Sequence, residues 1–278
     1  MATVEDGPFL PKNKTHSLEK IRRHNLYAAL FAKAMSRKWP QRLYIGLYSG
    51  AGKAVVEDTG EIVETSALAV LKQETPFTKY IFVDADERCL DALRARVDAL
   101  EQKHDVSFVQ GDVNNSLDSI IRDIPLFSRE NGLISLCFID PFRADLRFDV
   151  IRRLSQFRMD FLIMLPLGYD LRRNLTRYLE DESDGRVAGL IDEPNWRDEW
   201  RGQRRSRRHF VPYLLQKFDS AMTTLGYRAT PLRGAANVKV TGMGVFLYAL
   251  VLYSRHPLGE EFWQTTLDSA DKQLQMKL

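Results

Sequence analysis

Asp140-Pro141-Phe142 places a hydrogen-bond acceptor, a rigid turn and an aromatic plane side by side, directly after a run that is almost wholly apolar, Leu133 to Ile139. Methylation of an amine calls for these three things. An acceptor binds the N–H and localises the nitrogen lone pair, a fixed turn aims it, and a ring stacks the base that carries the amine. The plainer reading of the same residues is a strand-ending Asp-Pro turn with a half-buried Phe. Asp140, Pro141 and Phe142 are the candidate catalytic group.

Three further segments end in the same manner. The strand Arg42 to Tyr48 runs into Ser49-Gly-Ala-Gly52, where a side chain at Gly50 or Gly52 would keep a charged ligand away from backbone N–H groups. Asp84 closes a second strand and could accept both hydroxyls of a ribose; its alternative role, capping the next helix, suits Asp86 better. Asp112, in Gln110-Gly-Asp-Val-Asn114, could accept from the exocyclic amine of an adenine, with the backbone around Val113 serving the ring. A Gly-Asp pair is equally an ordinary turn. Tyr48, Gly50, Gly52, Asp84, Asp112 and Val113 thus form a candidate cofactor set, and S-adenosylmethionine is the adenosine-bearing molecule they suit.

The elements that must position these residues follow from periodicity. Helical spacing covers about Ser17 to Arg37, Thr65 to Gln73, Asp86 to Lys103, Ser116 to Arg122, Phe148 to Gln156 and His209 to Leu225. Strands are expected at Arg42 to Tyr48, Lys79 to Asp84, Val106 to Gln110, Leu133 to Ile139 and Asp160 to Leu165, with a short hairpin over 54–63. Nearly continuous apolar strands alternating with helices predict a parallel sheet covered on both faces, with ligands outside the carboxyl ends of its strands. Val238 to Thr241 and Val245 to Tyr253 lack an intervening helix and predict an antiparallel edge. That ending is the pattern of a Rossmann-like, methyltransferase-type α/β sheet. The expected organisation is an arm and helix over 1–40, a nucleotide-binding core over 41–180, an Arg/Trp-rich insertion or lid over 181–212, and completion of the same domain over 213–278.

Composition bounds the rest. Cys89 and Cys137 are the two cysteines, isolated and in apolar contexts, which leaves no disulfide framework or Cys-based zinc site and suits a reducing compartment. No apolar run approaches the ~20 residues of a membrane span, and no signal-peptide pattern opens the sequence, so the expectation is a cytoplasmic protein. A net charge of +3 diagnoses no partner. Its distribution says more: Arg197, Arg201, Arg204, Arg205, Arg207 and Arg208 crowd together among Trp196, Trp200 and Phe210, as a phosphate-neutralising and base-stacking surface would. A solvated face, with the aromatics anchoring a lid, explains them as well. Arg172, Arg173 and Asn174 could hold a phosphate or simply begin a solvated helix.

Tyr44 to Gly52, Phe82 to Asp86, Phe138 to Phe142 and the terminal Leu247 to Pro257 with Phe262-Trp263 resemble the three-Cys-motif partner (TcmP) family, over nearly the whole chain from Lys14 to Trp263. The resemblance implies a class I methyltransferase-like fold and a partner protein carrying three cysteines. Two positions depart from the family pattern. Gly46 stands where an acidic residue that would help bind the cofactor is usual in the first strand, and Arg143 where glycine is more frequent.

The leading expectation is an S-adenosylmethionine-dependent methyltransferase-like protein acting on nucleic acid, at an exocyclic amine. A non-catalytic binding partner of the same fold is the rival, favoured by Gly46. Metal-dependent cleavage through Asp84, Asp86, Asp112 and Asp140 is a third reading.

Overall fold

The apolar runs assemble into one sheet in a computed structural model that describes residues 7–15, 17–128, 130–202, 206–228, 236–239 and 246–275. The strands are β1 (Lys12–Asn13), β2 (Gln41–Leu47), β3 (Lys53–Val56), β4 (Ile62–Glu64), β5 (Lys79–Asp84), β6 (Val106–Gln110), β7 (Leu133–Ile139), β8 (Met159–Leu165), β9 (Ala236–Lys239) and β10 (Phe246–Tyr253). The helices are α1 (Ser17–Met35), α2 (Ser66–Leu71), α3 (Glu87–Asp98), α4 (Leu117–Asp123), α5 (Phe148–Leu154), α6 (Leu175–Glu180), α7 (Arg186–Ile191), α8 (Trp196–Gly202), α9 (Phe210–Thr224) and α10 (Pro257–Gln275).

The main sheet has seven strands in the order β6-β5-β2-β7-β8-β10-β9. β6, β5, β2, β7 and β8 are parallel neighbours. β10 runs antiparallel to β8, with Leu250 opposite Met164, and β9 runs antiparallel to β10. The chain builds outward from β2 in one direction through β5 and β6, then returns to add β7 and β8 on the other side. That reversal opens a crevice at the carboxyl ends of β2 and β7, where open α/β sheets hold their ligands. The order, with a reversed strand second from the edge, is the Rossmann-like fold of class I methyltransferases. The expected antiparallel ending is present, and the reversed β10 lies inside the sheet while β9 forms its edge; residues 240, 241 and 245 of the expected strands fall outside the described residues.

Both faces of the sheet are buried, which is why its strands read as unbroken apolar runs. Leu43, Ile45 and Leu47 of β2 pack into one core with Phe148, Ile151 and Phe218. Tyr44 points the other way, into an aromatic-rich core with Tyr27, Phe31, Phe77 and Trp263. Gly46 lies on that second face, where a Cβ would meet Phe82 at 3.0 Å and the Tyr44 ring at 3.3 Å. Aromatic rings occupy the space that an acidic side chain would need.

Three segments carry more structure than periodicity indicates. Residues 1–14 read as a loose arm, yet from Gly7 onward the chain is fastened: Arg96 donates to the carbonyls of Pro8 and Phe9, Arg88 lies over the Phe9 ring, and β1 pairs with β3. The stretch expected as an insertion or lid supplies α7 and α8, whose Val187, Leu190, Trp196 and Trp200 join the same core as β7 and β8. Helix α10, which periodicity does not indicate, covers α1, with the Tyr27 and Trp263 rings edge to face at 5.9 Å.

Candidate functional site

The loop after β2 turns sharply. Tyr48, Gly50 and Gly52 all have left-handed backbone, with φ of 62°, 65° and 81°. The two glycines serve different ends. A Cβ at Gly52 would stand 2.8 Å from Leu93 Cδ1, so this glycine lets the loop pack on α3, and its neighbour's carbonyl, Ala51, accepts from Arg96 at 2.6 Å. A Cβ at Gly50 would meet nothing within 4 Å, so its open side faces space rather than protein. Tyr48 has a Cβ and still adopts the left-handed region, a strain of roughly 1–2 kcal/mol that surrounding structure must impose and that gathers at functional sites.

Asp84 ties this loop to β5. Gly50 N–H donates to its Oδ2 at 2.8 Å and Asp86 N–H to its Oδ1 at 3.0 Å. Each carboxylate oxygen keeps a second lone pair, so capacity remains for ribose hydroxyls. Asp86 caps α3 through Arg88 N–H, and its bonds to Arg88 hold its carboxyl below the usual range. The Tyr48 hydroxyl is buried without a hydrogen-bond partner, and so is Ser49 Oγ. Burial, then the carboxylates of Asp145, Asp112 and Asp84, push the Tyr48 phenol far up, so it stays a protonated donor. Two orphaned hydroxyls beside an open glycine and a carboxylate fit an adenosine-bearing ligand.

Asp112 is exposed, and its Oδ1 accepts from Asn114 N–H at 2.9 Å in a side-chain turn. Val113 is buried in the core at 1% exposure, so only its backbone can face a ligand. Asn114 joins this loop to the one after β7: its Nδ2 donates to the Asp145 carbonyl, and its Oδ1 accepts from Arg147 N–H, both at 2.8 Å.

On the other side of the crevice, Asp140 N–H donates to the Leu47 carbonyl at 3.3 Å, carrying the β2–β7 pairing into the site. Pro141 is buried, whereas the Phe142 ring is 66% exposed. Lys20 Nζ of α1 donates to Asp140 Oδ2 at 2.6 Å, with both side chains mostly shielded. Lys20 carries no sequence motif. It sits one turn before His24 on the buried stripe of α1, alongside Ile21, and that stripe was the available signal. His24 is fully buried between Asn25 Oδ1 and the Tyr44 hydroxyl, each at 2.8 Å, and burial lowers its pKa to about 4. A neutral ring satisfies both contacts, donating from Nδ1 and accepting at Nε2.

The Arg/Trp-rich segment is placed differently from a stacking surface. Trp196, Trp200 and Phe210 are core residues at 0–5% exposure. Arg197 donates to the carbonyls of Tyr178, Asp181 and Asp184, Arg201 to that of Leu179, and Arg207 to those of Arg172 and Arg173. These guanidinium groups satisfy the ends of preceding helical turns. Arg208 is exposed, and Arg204 and Arg205 lie outside the described residues. Cys137 is fully buried in β7 and Cys89 nearly so, its thiol pushed up to about 11 by burial.

After β8 the chain forms a turn of π-helix, Leu167–Arg172, in which Leu171 N–H reaches the Pro166 carbonyl. Such turns recur at functional sites. This one buries Asp170, whose carboxylate accepts from Ala144 N–H, Asn174 Nδ2 and the Tyr178 hydroxyl, each at 2.9 Å. Asp170 therefore braces the loop that carries Phe142. Among the described residues no group of three or more His, Cys, Asp or Glu is arranged to hold a metal ion, and no helix is long and apolar enough to cross a membrane.

No family model matches the chain, and no curated protein matches it. It is similar to solved structures at low identity. One is a protein from Legionella pneumophila, at 10% identity and a TM-score of 0.48, covering 96% of this chain and 94% of that one. Another is an O-methyltransferase from Bacillus cereus in complex with SAH, at 10% identity and 0.45, covering 86% of each chain. A third is the O-methyltransferase TomG from Streptomyces achromogenes in complex with SAM, at 11% identity and 0.43, covering 89% and 93%. The class I methyltransferase fold rests on this chain's own strand order.

Proposed function

We propose that this chain is an S-adenosylmethionine-dependent methyltransferase acting on nucleic acid, at the exocyclic amine of a base. The observation that supports it is the placement of two half-sites on one crevice: the Gly50–Asp84 pair after β2 and β5, and Asp140 with the exposed Phe142 ring after β7. Gly50, Asp84 and Asp112 would hold the cofactor, with the free hydroxyls of Tyr48 and Ser49 as further donors. When bound, S-adenosylmethionine supplies an electrophilic methyl group on a positively charged sulfur. Lys20 occupies Asp140 Oδ2 and leaves Oδ1 to accept from the amine, orienting its lone pair. Phe142 supplies a face for the base, and Pro141 fixes the turn between them. A protein carrying three cysteines, the partner implied by the resemblance to the TcmP family, belongs to this proposal, and co-purification is its test.

Calorimetry tests the cofactor half. The folded protein is expected to bind S-adenosylmethionine, and Asp84→Asn, which keeps one acceptor, to weaken binding about tenfold, or about 1.4 kcal/mol. No heat at about millimolar ligand would remove this half.

A second reading, a non-catalytic protein that binds its partner through the same fold, is favoured by two observations. Asp140 is already ion-paired with Lys20, and rings fill the space beside Gly46. Asp140→Ala separates the readings: an enzyme loses transfer with folding intact, whereas a binding protein keeps its affinity.

A further inference from the structure

Beyond the Phe142 ring lies a cavity of about 270 Å³ whose lining is dominated by arginine: Arg143, Arg173, Arg177 and Arg186, with Asp170 at its base. The four cations come from three separate elements, the loop after β7, the π-turn with α6, and the start of α7. Arg186 is held by Asp184 and lies over the Tyr178 ring at 5.3 Å. Arg177 lies over the same ring at 4.9 Å and reaches Asp184 at 3.6 Å. These two are therefore preset by an acid and an aromatic before any ligand arrives. Among the described residues, neither Arg143 nor Arg173 makes an ion pair. Asp170 is occupied by three donors, and Asp184 is shared between Arg177 and Arg186. Four guanidinium groups around one cavity repel one another, and three carboxylates, Asp170, Asp184 and Asp145 beside Arg143, leave a net positive charge. Such positive potential in a concave, partly shielded site suits an anion, and guanidinium forks match phosphate oxygens in geometry.

We propose that this cavity is a phosphate-binding subsite for the methyl acceptor, taking a backbone phosphate of a nucleic acid strand whose base stacks on Phe142. The inference rests on the reading of the crevice as a nucleic-acid methyltransferase site and names how that site would hold its substrate. Arg143 and Arg173 donate to the phosphate oxygens, and Arg177 and Arg186 complete the positive wall. The cavity adjoins the acceptor turn through Phe142 itself, so phosphate and base are held from one short segment of chain. Phosphate contacts position a strand without reading its sequence, which is the task a substrate clamp performs. The basic face then lies on the π-turn and α7 rather than on Arg197, Arg201 and Arg207, whose donors go to backbone carbonyls.

The test is fluorescence anisotropy with a labelled single-stranded oligonucleotide over a salt series, without cofactor, for the wild type and Arg143→Gln with Arg173→Gln. Arg94→Gln with Lys103→Gln removes the same charge elsewhere as a control. Adenosine monophosphate and inorganic phosphate are titrated separately by calorimetry. The subsite predicts at least tenfold weaker oligonucleotide binding in the cavity variant alone, with its salt slope flattened by about 0.7, the value for one phosphate of a single strand. Binding of the monophosphate but not the oligonucleotide, lost in the same variant, would keep the phosphate subsite and transfer it to a small phosphorylated acceptor, overturning the nucleic-acid reading instead. Oligonucleotide binding with an unchanged slope in the cavity variant overturns the subsite and leaves the methyltransferase reading standing. Failure of the wild type to bind either ligand overturns the subsite.

Discussion

Lys20 changes what Asp140 can offer. A carboxylate free of partners would be a two-oxygen acceptor, whereas here one oxygen is committed to an ammonium at 2.6 Å. Position 46 is decided at the same scale. The residues packed against Gly46 crowd any side chain there, since the Phe82 and Tyr44 rings would stand 3.0–3.3 Å from a Cβ and would have to yield. Gly46→Asp is therefore expected to destabilise the protein by on the order of 3 kcal/mol, through overpacking and an unpaired buried charge, and not to improve cofactor binding. Urea denaturation beside calorimetry checks it; a variant of wild-type stability with tighter binding would contradict the account. At this scale, the motif residues were legible because each ends a strand, and strand ends converge in a parallel sheet. Lys20, Asn114 and Asp170 were not. Their roles depend on contacts 26–120 residues away in sequence, which local spacing does not encode.

Among the elements, α1 brings Lys20 to Asp140, and titratable groups on and against its buried stripe act on stability. His24 has a folded pKa of about 4 against an ordinary 6.5, so the unfolded chain binds the extra proton between those values and stability rises with pH across that window. Asp160, at the start of β8, accepts from the Tyr27 hydroxyl, and burial raises its carboxyl from 3.8 to about 7. The folded state binds that proton, so Asp160 makes stability fall as pH rises from about 3.8 to about 7. The two contributions oppose one another between pH 4 and 6.5. Relative to wild type, Asp160→Asn is expected to steepen the rise of stability with pH in that window, and His24→Gln to tilt it downward, each by up to about 1.4 kcal/mol per pH unit. Chemical denaturation at half-unit pH steps reads both slopes. Parallel curves for wild type and both variants would show that neither group is perturbed. The long elements were readable from periodicity: α1, α3 and α9 stand within a few residues of the expected bounds. The π-turn and the short helices α6 to α8 were not: unlike the equally short α2, α4 and α5, they do not alternate with apolar strands that would bracket them.

For the molecule as a whole, the strand order was partly written in the sequence. Five apolar runs alternating with helices, then two runs without one, indicate a parallel sheet with a reversed ending, and β10 between β8 and β9 is how that ending is built. Which strands neighbour which is a matter of long-range pairing and was supplied by the structure. Its consequence is that the loops after β2 and β5 face those after β7 and β8 at the carboxyl ends of the strands, where the proposed function places cofactor and acceptor. The measurement that tests this most directly is methyl transfer itself. Protein is incubated with S-adenosylmethionine carrying a trideuterated methyl group and with DNA and RNA oligonucleotides containing every base, which are then digested to nucleosides for mass spectrometry. The account predicts one nucleoside labelled on its exocyclic amine, absent with Asp140→Ala. Cofactor bound by a folded protein, with no labelled nucleoside from either nucleic acid, would contradict it.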